Sequence, residues 1–227
     1  MTTIGTILNR VTGTYFLIAD RQVSAGNLRL PLLFPKIIQV GNILVAGTGS
    51  VAEIQQLTKR IKKEIEVKKI IADIPEMPID VNTFTEELTE LLFDVSHSIS
   101  FNPMQSNFII AGYSEKEEKT KAVSISSDGS EIFIPGYYAD GSGQDFLLGK
   151  LQTLWNENEI LKLNDLDFVF RLNNFMVECS GVDLYTNQYP EIYGVKIDGA
   201  IVKYDLDFKQ PLNDETKKDD KKTKDKK

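Results

Sequence analysis

The chain has 227 residues, 41% hydrophobic and 26% charged, which suits one large soluble domain able to bury a substantial core. Its formal charge is −7, and Asp214–Lys227 holds seven lysines and five acidic residues, a net of +2 that leaves about −9 on the body. An acidic body argues against nucleic acid as the main ligand, and no apolar run approaches the roughly 20 residues of a membrane span. One histidine (His97) and one cysteine (Cys179) exclude an internal disulfide and a His/Cys zinc site within the chain. No metal or cofactor is expected. The start has no basic stretch followed by an apolar one, so no secretory signal is expected, and the cysteine usage fits a reducing cytoplasm.

Taken in order, Thr3–Leu8 and Thr14–Ala19 read as a β-hairpin around Asn9-Arg10-Val11-Thr12-Gly13. Val23-Ser24-Ala25-Gly26-Asn27 reads as an irregular turn. Lys36–Val40 and Ile43–Ala46 form a second hairpin across Gly41-Asn42. Strands without intervening helices predict an antiparallel sheet. After Gly47-Thr48-Gly49, Ser50 and Glu53 give a capping-box pattern. Val51, Ile54, Leu57, Ile61 and Ile65 then mark an amphipathic helix. A second helix is predicted near Val81–Ile99, with Phe84, Leu88, Leu91, Leu92 and Val95 inward and Pro75 and Pro78 in the connection. Strands resume at Asn107–Gly112, Ala122–Ser126 and Glu131–Pro135. Helices near Asp145–Asn156 and Asp165–Cys179 follow, then strands at Ile192–Ile197 and Ala200–Tyr204. This order predicts an α+β fold, a four-layer αββα sandwich of two antiparallel sheets flanked by helices. The domain is expected to span residues 1–208. Residues 209–227 are expected to be a disordered charged tail, since Asp214–Lys227 has no apolar residue.

The candidate chemistry starts at Thr2. Removal of Met1 would give it a free α-amine beside its own hydroxyl, and such an amine can accept the hydroxyl proton. Several strings point the same way: Thr2-Thr3-Ile4, Ile18-Ala19-Asp20-Arg21 before Gly26-Asn27, Phe34-Pro35-Lys36-Ile37, Val45-Ala46-Gly47, Asp140-Gly141-Ser142-Gly143 and Tyr185-Thr186-Asn187. By these strings and their order, residues 2–205 resemble the N-terminal nucleophile hydrolases of the proteasome β-subunit and HslV peptidase type.

That resemblance implies Thr2 as nucleophile and Lys36 as the charge that keeps its amine neutral and stabilises the alkoxide. It implies Asp20 as partner of Lys36, Gly47 N–H as oxyanion donor and Ser142 as a proton relay near the amine. The residues alone also allow a structural Lys36–Asp20 ion pair, a turn role for Gly47 and a helix-capping role for Ser142. Substrate would lie extended between Val23-Ser24 and Gly47-Thr48-Gly49 by main-chain pairing, with Val23, Phe34 and Val45 forming an apolar pocket. The resemblance also implies a self-compartmentalising homo-oligomeric ring acting on unfolded polypeptides. Any ATP-driven unfoldase would be a separate chain, because this one has no phosphate loop. Two departures stand out: Tyr185 and Gln188 occupy the places of an acid and a serine expected after the fourth helix, and the lysine-rich tail is foreign to the pattern. A non-catalytic ring subunit and a small-molecule amidase remain as alternatives.

Overall fold

The computed structural model describes residues 2–25, 28–72, 80–98 and 106–205. Met1, Gly26, Asn27, Pro75, Pro78 and the tail lie outside them. The side chains of Ile65, Leu91, Leu92, Val95 and His97 are likewise outside the description. The strands are β1 (Thr3–Asn9), β2 (Thr14–Ala19), β3 (Gln22–Ala25), β4 (Leu28–Leu33), β5 (Ile37–Val40) and β6 (Ile43–Thr48). Helices α1 (Val51–Ala72) and α2 (Val81–Ser98) follow. Next come β7 (Asn107–Ser114), β8 (Lys119–Ile125), β9 (Glu131–Phe133) and β10 (Tyr137–Gly141). Helices α3 (Gln144–Leu161) and α4 (Asp165–Val182) precede β11 (Glu191–Val195) and β12 (Ile201–Lys203).

Among the described residues, two five-stranded antiparallel sheets run in the orders β10-β1-β2-β11-β12 and β5-β6-β7-β8-β9, and β3-β4 form a separate pair. Alternation along each strand sorts side chains into three cores. On β2, Phe16 and Ile18 face α3 and α4, where they meet Leu147, Leu151, Phe168 and Leu172. Tyr15, Leu17 and Ala19 face the other way, against Leu44, Ala46 and Ile109 of the second sheet. On β6, Val45 meets Ile54 and Leu57 of α1 and Phe84 of α2. Three apolar seams therefore separate four layers, the predicted αββα sandwich. Both faces of each sheet are covered, which is why Tyr15-Phe16-Leu17-Ile18-Ala19 is an unbroken apolar run rather than an alternating one.

Two elements differ from the sequence expectation. The stretch expected to be an irregular turn starts a hairpin, β3-β4, even though Pro31 lies in β4. Its register jumps from Gln22↔Leu33 to Val23↔Leu30, so Pro31 and Leu32 fall inside a bulge and owe no ladder bond. Gln22 Nε2 spans the bulge by donating to Val23 O and Leu30 O at 2.8 and 2.9 Å. The second is β10, read only as the approach to Gly141-Ser142-Gly143; it pairs with β1 from Thr3↔Gly141 to Ile7↔Tyr137. The capping box of α1 is relayed. Ser50 Oγ accepts from Glu53 N at 3.4 Å, while Ser106 Oγ accepts from Ser50 N and donates to Glu53 Oε2. No helix among the described residues is long and apolar enough to cross a membrane.

Candidate active site

Thr2 lies where β1, β2 and β10 end together. Its carbonyl accepts from Ser142 N and that of Thr3 from Asp20 N, both at 3.0 Å. Gly141 makes this possible: its φ is +100°, and a Cβ there would stand 1.7 Å from Thr2 O. Only glycine permits so close an approach.

The Thr2 side chain is buried and accepts a hydrogen bond from Lys36 Nζ. Asp20 Oδ1 stands 3.7 Å from the same ammonium, with both side chains at most 2% exposed. The Asp20 carboxylate is held from two sides, by Thr3 N at 2.6 Å and Gln22 N at 2.7 Å. Burial pushes the Asp20 carboxyl up to about 6, against the opposing pull of Lys36 and the two main-chain donors. Burial lowers the Lys36 ammonium from its usual range, opposed by Asp20 and by Glu191. The pair is thus buried, and burial works against both charges. An ammonium held below its usual range by burial and set on a hydroxyl is placed to stabilise negative charge developing there.

A second network is built around the neighbouring Thr3 and Ser142. Ser142 Oγ donates to Asp183 Oδ2 at 2.7 Å, and Thr186 Oγ1 donates to the same oxygen at 2.5 Å. Thr3 Oγ1 shares a hydrogen bond with Thr186 Oγ1 at 2.6 Å and accepts from Gly143 N at 3.0 Å. Burial pushes the Asp183 carboxyl up, but donors from Thr186, Ser142, Tyr185 N and Thr3 outweigh it and hold it below the usual carboxylate range. Ser142 is not the cap of α3; Gly143 holds that position. The expectation that the acid and hydroxyl after the fourth helix are missing is therefore corrected. Asp183 and Thr186 supply them, while Gln188 is exposed and Tyr185 contributes its main-chain N–H to Asp183 Oδ1 at 3.1 Å. The signal lay in helix length: α4 continues to Val182, so Asp183 is its C-cap.

The remaining predicted residues divide. Gly47 is on β6 one position past the Ile37↔Ala46 pair, which sets it across from Lys36. A Cβ on it would stand 2.9 Å from Ile54 Cδ1, so α1 packs directly on its backbone. Gly49 has φ +103°, and Thr48 Oγ1 is taken up by Asp140 Oδ2 at 2.7 Å, which also accepts from Asn107 Nδ2 at 3.1 Å. Val23 and Ser24 are half-buried on β3. Phe34 is half-buried too, with its N–H donating to Arg21 O at 2.9 Å. Val45 belongs to the seam under α1 and α2. Sequence reasoning also missed Glu191, a buried carboxylate whose Oε2 accepts from Lys36 N at 2.8 Å and Ile37 N at 3.2 Å. Among the described residues no cluster of His, Cys, Asp or Glu is arranged to hold a metal.

A proteasome subunit family model matches residues 4–166. The proteasome subunit beta of Nanoarchaeum equitans is 27% identical over 175 residues, covering 75% of this chain and 85% of that protein. The proteasome subunit beta 1 of Thermococcus onnurineus is 29% identical over 137 residues, 60% of this chain and 62% of its own. The family match begins within β1, two residues past Thr2, and takes in both sheets' central strands and the first three helices, with Asp20 and Lys36 inside it. The chain belongs to the proteasome subunit family.

Proposed function

We propose that the chain is a threonine-type peptidase that hydrolyses peptide bonds of unfolded polypeptides, with Thr2 as nucleophile once Met1 has been removed. The observation that carries this reading is the buried Lys36 Nζ donating to Thr2 Oγ1, with Asp20 behind it. In the proposed cycle the freed α-amine of Thr2 takes the hydroxyl proton as Oγ1 attacks the substrate carbonyl. Lys36 stabilises the developing alkoxide and keeps the amine neutral. Gly47 N–H receives the oxyanion, a contribution of about 3 kcal/mol for a well-placed donor. The amine then passes its proton to the leaving amine, and water hydrolyses the ester on Thr2. Ser142, held by Asp183, orients the amine and relays its proton.

Substrate would add as an extended strand between Val23-Ser24 and Gly47-Thr48-Gly49, with Val23, Phe34 and Val45 shaping the first pocket. The chain would work in the cytoplasm as a homo-oligomeric ring enclosing its active sites, fed by a separate ATP-driven unfoldase. The test is intact mass with and without a peptide-epoxyketone. The expected result is loss of Met1 and a single adduct on Thr2 that Thr2→Ala abolishes. Retained Met1, or an adduct that survives Thr2→Ala, defeats the mechanism and leaves the non-catalytic ring subunit. A monomeric native mass, with labelling of Thr2 but no cleavage of peptides, would favour the small-molecule amidase.

A further inference from the structure

We propose that Glu191 is a positioning residue for this chemistry: from the opposite sheet it holds the main chain of Lys36, and thereby sets the ammonium on the Thr2 hydroxyl. The proposal rests on the threonine-peptidase reading above. The two partners of the Lys36–Thr2 contact belong to different sheets. Thr2 leads into β1 of the β10-β1-β2-β11-β12 sheet, whereas Lys36 leads into β5, an edge strand of the other. Hydrogen-bond ladders fix strands within a sheet but not one sheet against the next. The seam between these two is largely apolar, and apolar packing is non-directional.

Asp140 of β10 gives direction at β6 and β7 by accepting from Thr48 and Asn107, and Glu191 gives it at the entry to β5, where Lys36 sits. Glu191 opens β11 opposite Ala19 of β2, one residue before Asp20. Its Oε2 takes the main-chain N–H of both Lys36 and Ile37, at 2.8 and 3.2 Å. Its Oε1 lies 3.9 Å from Arg21 Nε. As an edge strand, β5 has only β6 beside it, so N–H groups at its entry need partners from elsewhere. A residue only 7% exposed carrying a carboxylate is unfavourable there unless such donors meet it. One side chain thus ties Lys36 to the strand end that carries Asp20. The lysine stem is long and flexible, so the ammonium is placed only if its main chain is. A displacement of about 1 Å at such a site costs on the order of 10²-fold in rate.

The test compares Glu191→Ala, Glu191→Gln and the unsubstituted full chain, with a fluorogenic peptide as substrate and a peptide-epoxyketone to count active sites. The amide oxygen of glutamine still accepts both N–H groups, so Glu191→Gln should keep kcat per titrated site within about threefold. Glu191→Ala should lose roughly 10- to 100-fold in kcat per site with KM held within about threefold. A role confined to stability would lower Tm and the titratable fraction while leaving kcat per remaining site intact, and that result overturns the proposal. Loss in Glu191→Gln as deep as in Glu191→Ala overturns it as well. If the alanine variant does not fold, Glu191→Asp, one methylene short, is judged by the same criteria. Should the unsubstituted chain neither cleave nor label, the peptidase reading is what fails. A crystal structure of the Glu191 variant then decides positioning: Lys36 Nζ displaced from Thr2 Oγ1 supports it, and Lys36 Nζ unmoved refutes it.

Discussion

Asp20 puts stability and activity in opposition. Its folded-state carboxyl is raised by burial to about 6, above the ordinary aspartate value near 3.9. Between those values the native state binds more protons than the unfolded one, so stability falls as pH rises through the window and is flat above it. The ionised form is the one that partners Lys36, so activity should rise over the same range. The expected outcome is a wild-type unfolding free energy that declines from pH 4 to pH 6 relative to Asp20→Asn, by up to about 3 kcal/mol. Subtracting the variant removes the opposite slope from Asp183, whose carboxyl is held low. Chemical denaturation of both proteins at pH 4, 5, 6 and 7 measures the difference. A difference that grows with pH would mean that Lys36 and the main-chain donors outweigh burial.

At the level of elements, the strand-to-helix turn after β6 couples the candidate oxyanion donor to α1. Gly47 lies so close under Ile54 that a Cβ would stand 2.9 Å from Cδ1, 3.0 Å from Cγ1 and 3.2 Å from Cγ2. Gly47→Ala should therefore lift the first turn of α1 and cost about 1–3 kcal/mol. In an Ile54→Ala background that steric penalty should largely disappear, so a double-mutant cycle of urea midpoints should show a coupling of at least about 1 kcal/mol. Additive effects would show that Ile54 does not press on the strand. Most elements were legible because periodicity signals them: β1, β2, β5, β6 and all four helices stand where their apolar spacing puts them. What local pattern hides is tertiary. β10 exists because β1 has a free edge beside it, and β4 tolerates Pro31 only through its bulge. The site was legible in part for the same reason. Thr2, Asp20 and Lys36 carry recognisable short strings, and the structure brings them together. Asp183 became visible only once α4 ran past Cys179 to Val182. Glu191 carries no string at all; its meaning comes from a sheet crossing 155 residues from Lys36 in sequence.

For the whole molecule, the α3–α4 layer leaves large apolar side chains facing outward. Leu166, Phe170 and Val177 on α4 are 59%, 58% and 39% exposed, at spacings of four and seven residues, and Leu148 of α3 is exposed as well. Exposed apolar side chains along one helix face suit an association surface, and membership of the proteasome subunit family implies an oligomeric ring assembly. The occupant expected is a second copy of this chain. Each copy carries a formal charge of −7, so association opposes like-charge repulsion and should strengthen as salt screens it. Phe170→Glu adds a charge where the apolar contact would be buried, yet in the isolated protomer that side chain already faces water. The variant should therefore keep protomer stability within about 0.5 kcal/mol of the wild type while its native mass drops toward the 25.6 kDa protomer. Native mass spectrometry at low and high ammonium acetate, beside a urea unfolding curve, reads both quantities. An unchanged assembly in Phe170→Glu would move the interface off this flank. A loss of mass accompanied by a large loss of protomer stability would show that Phe170 serves the fold and not the contact.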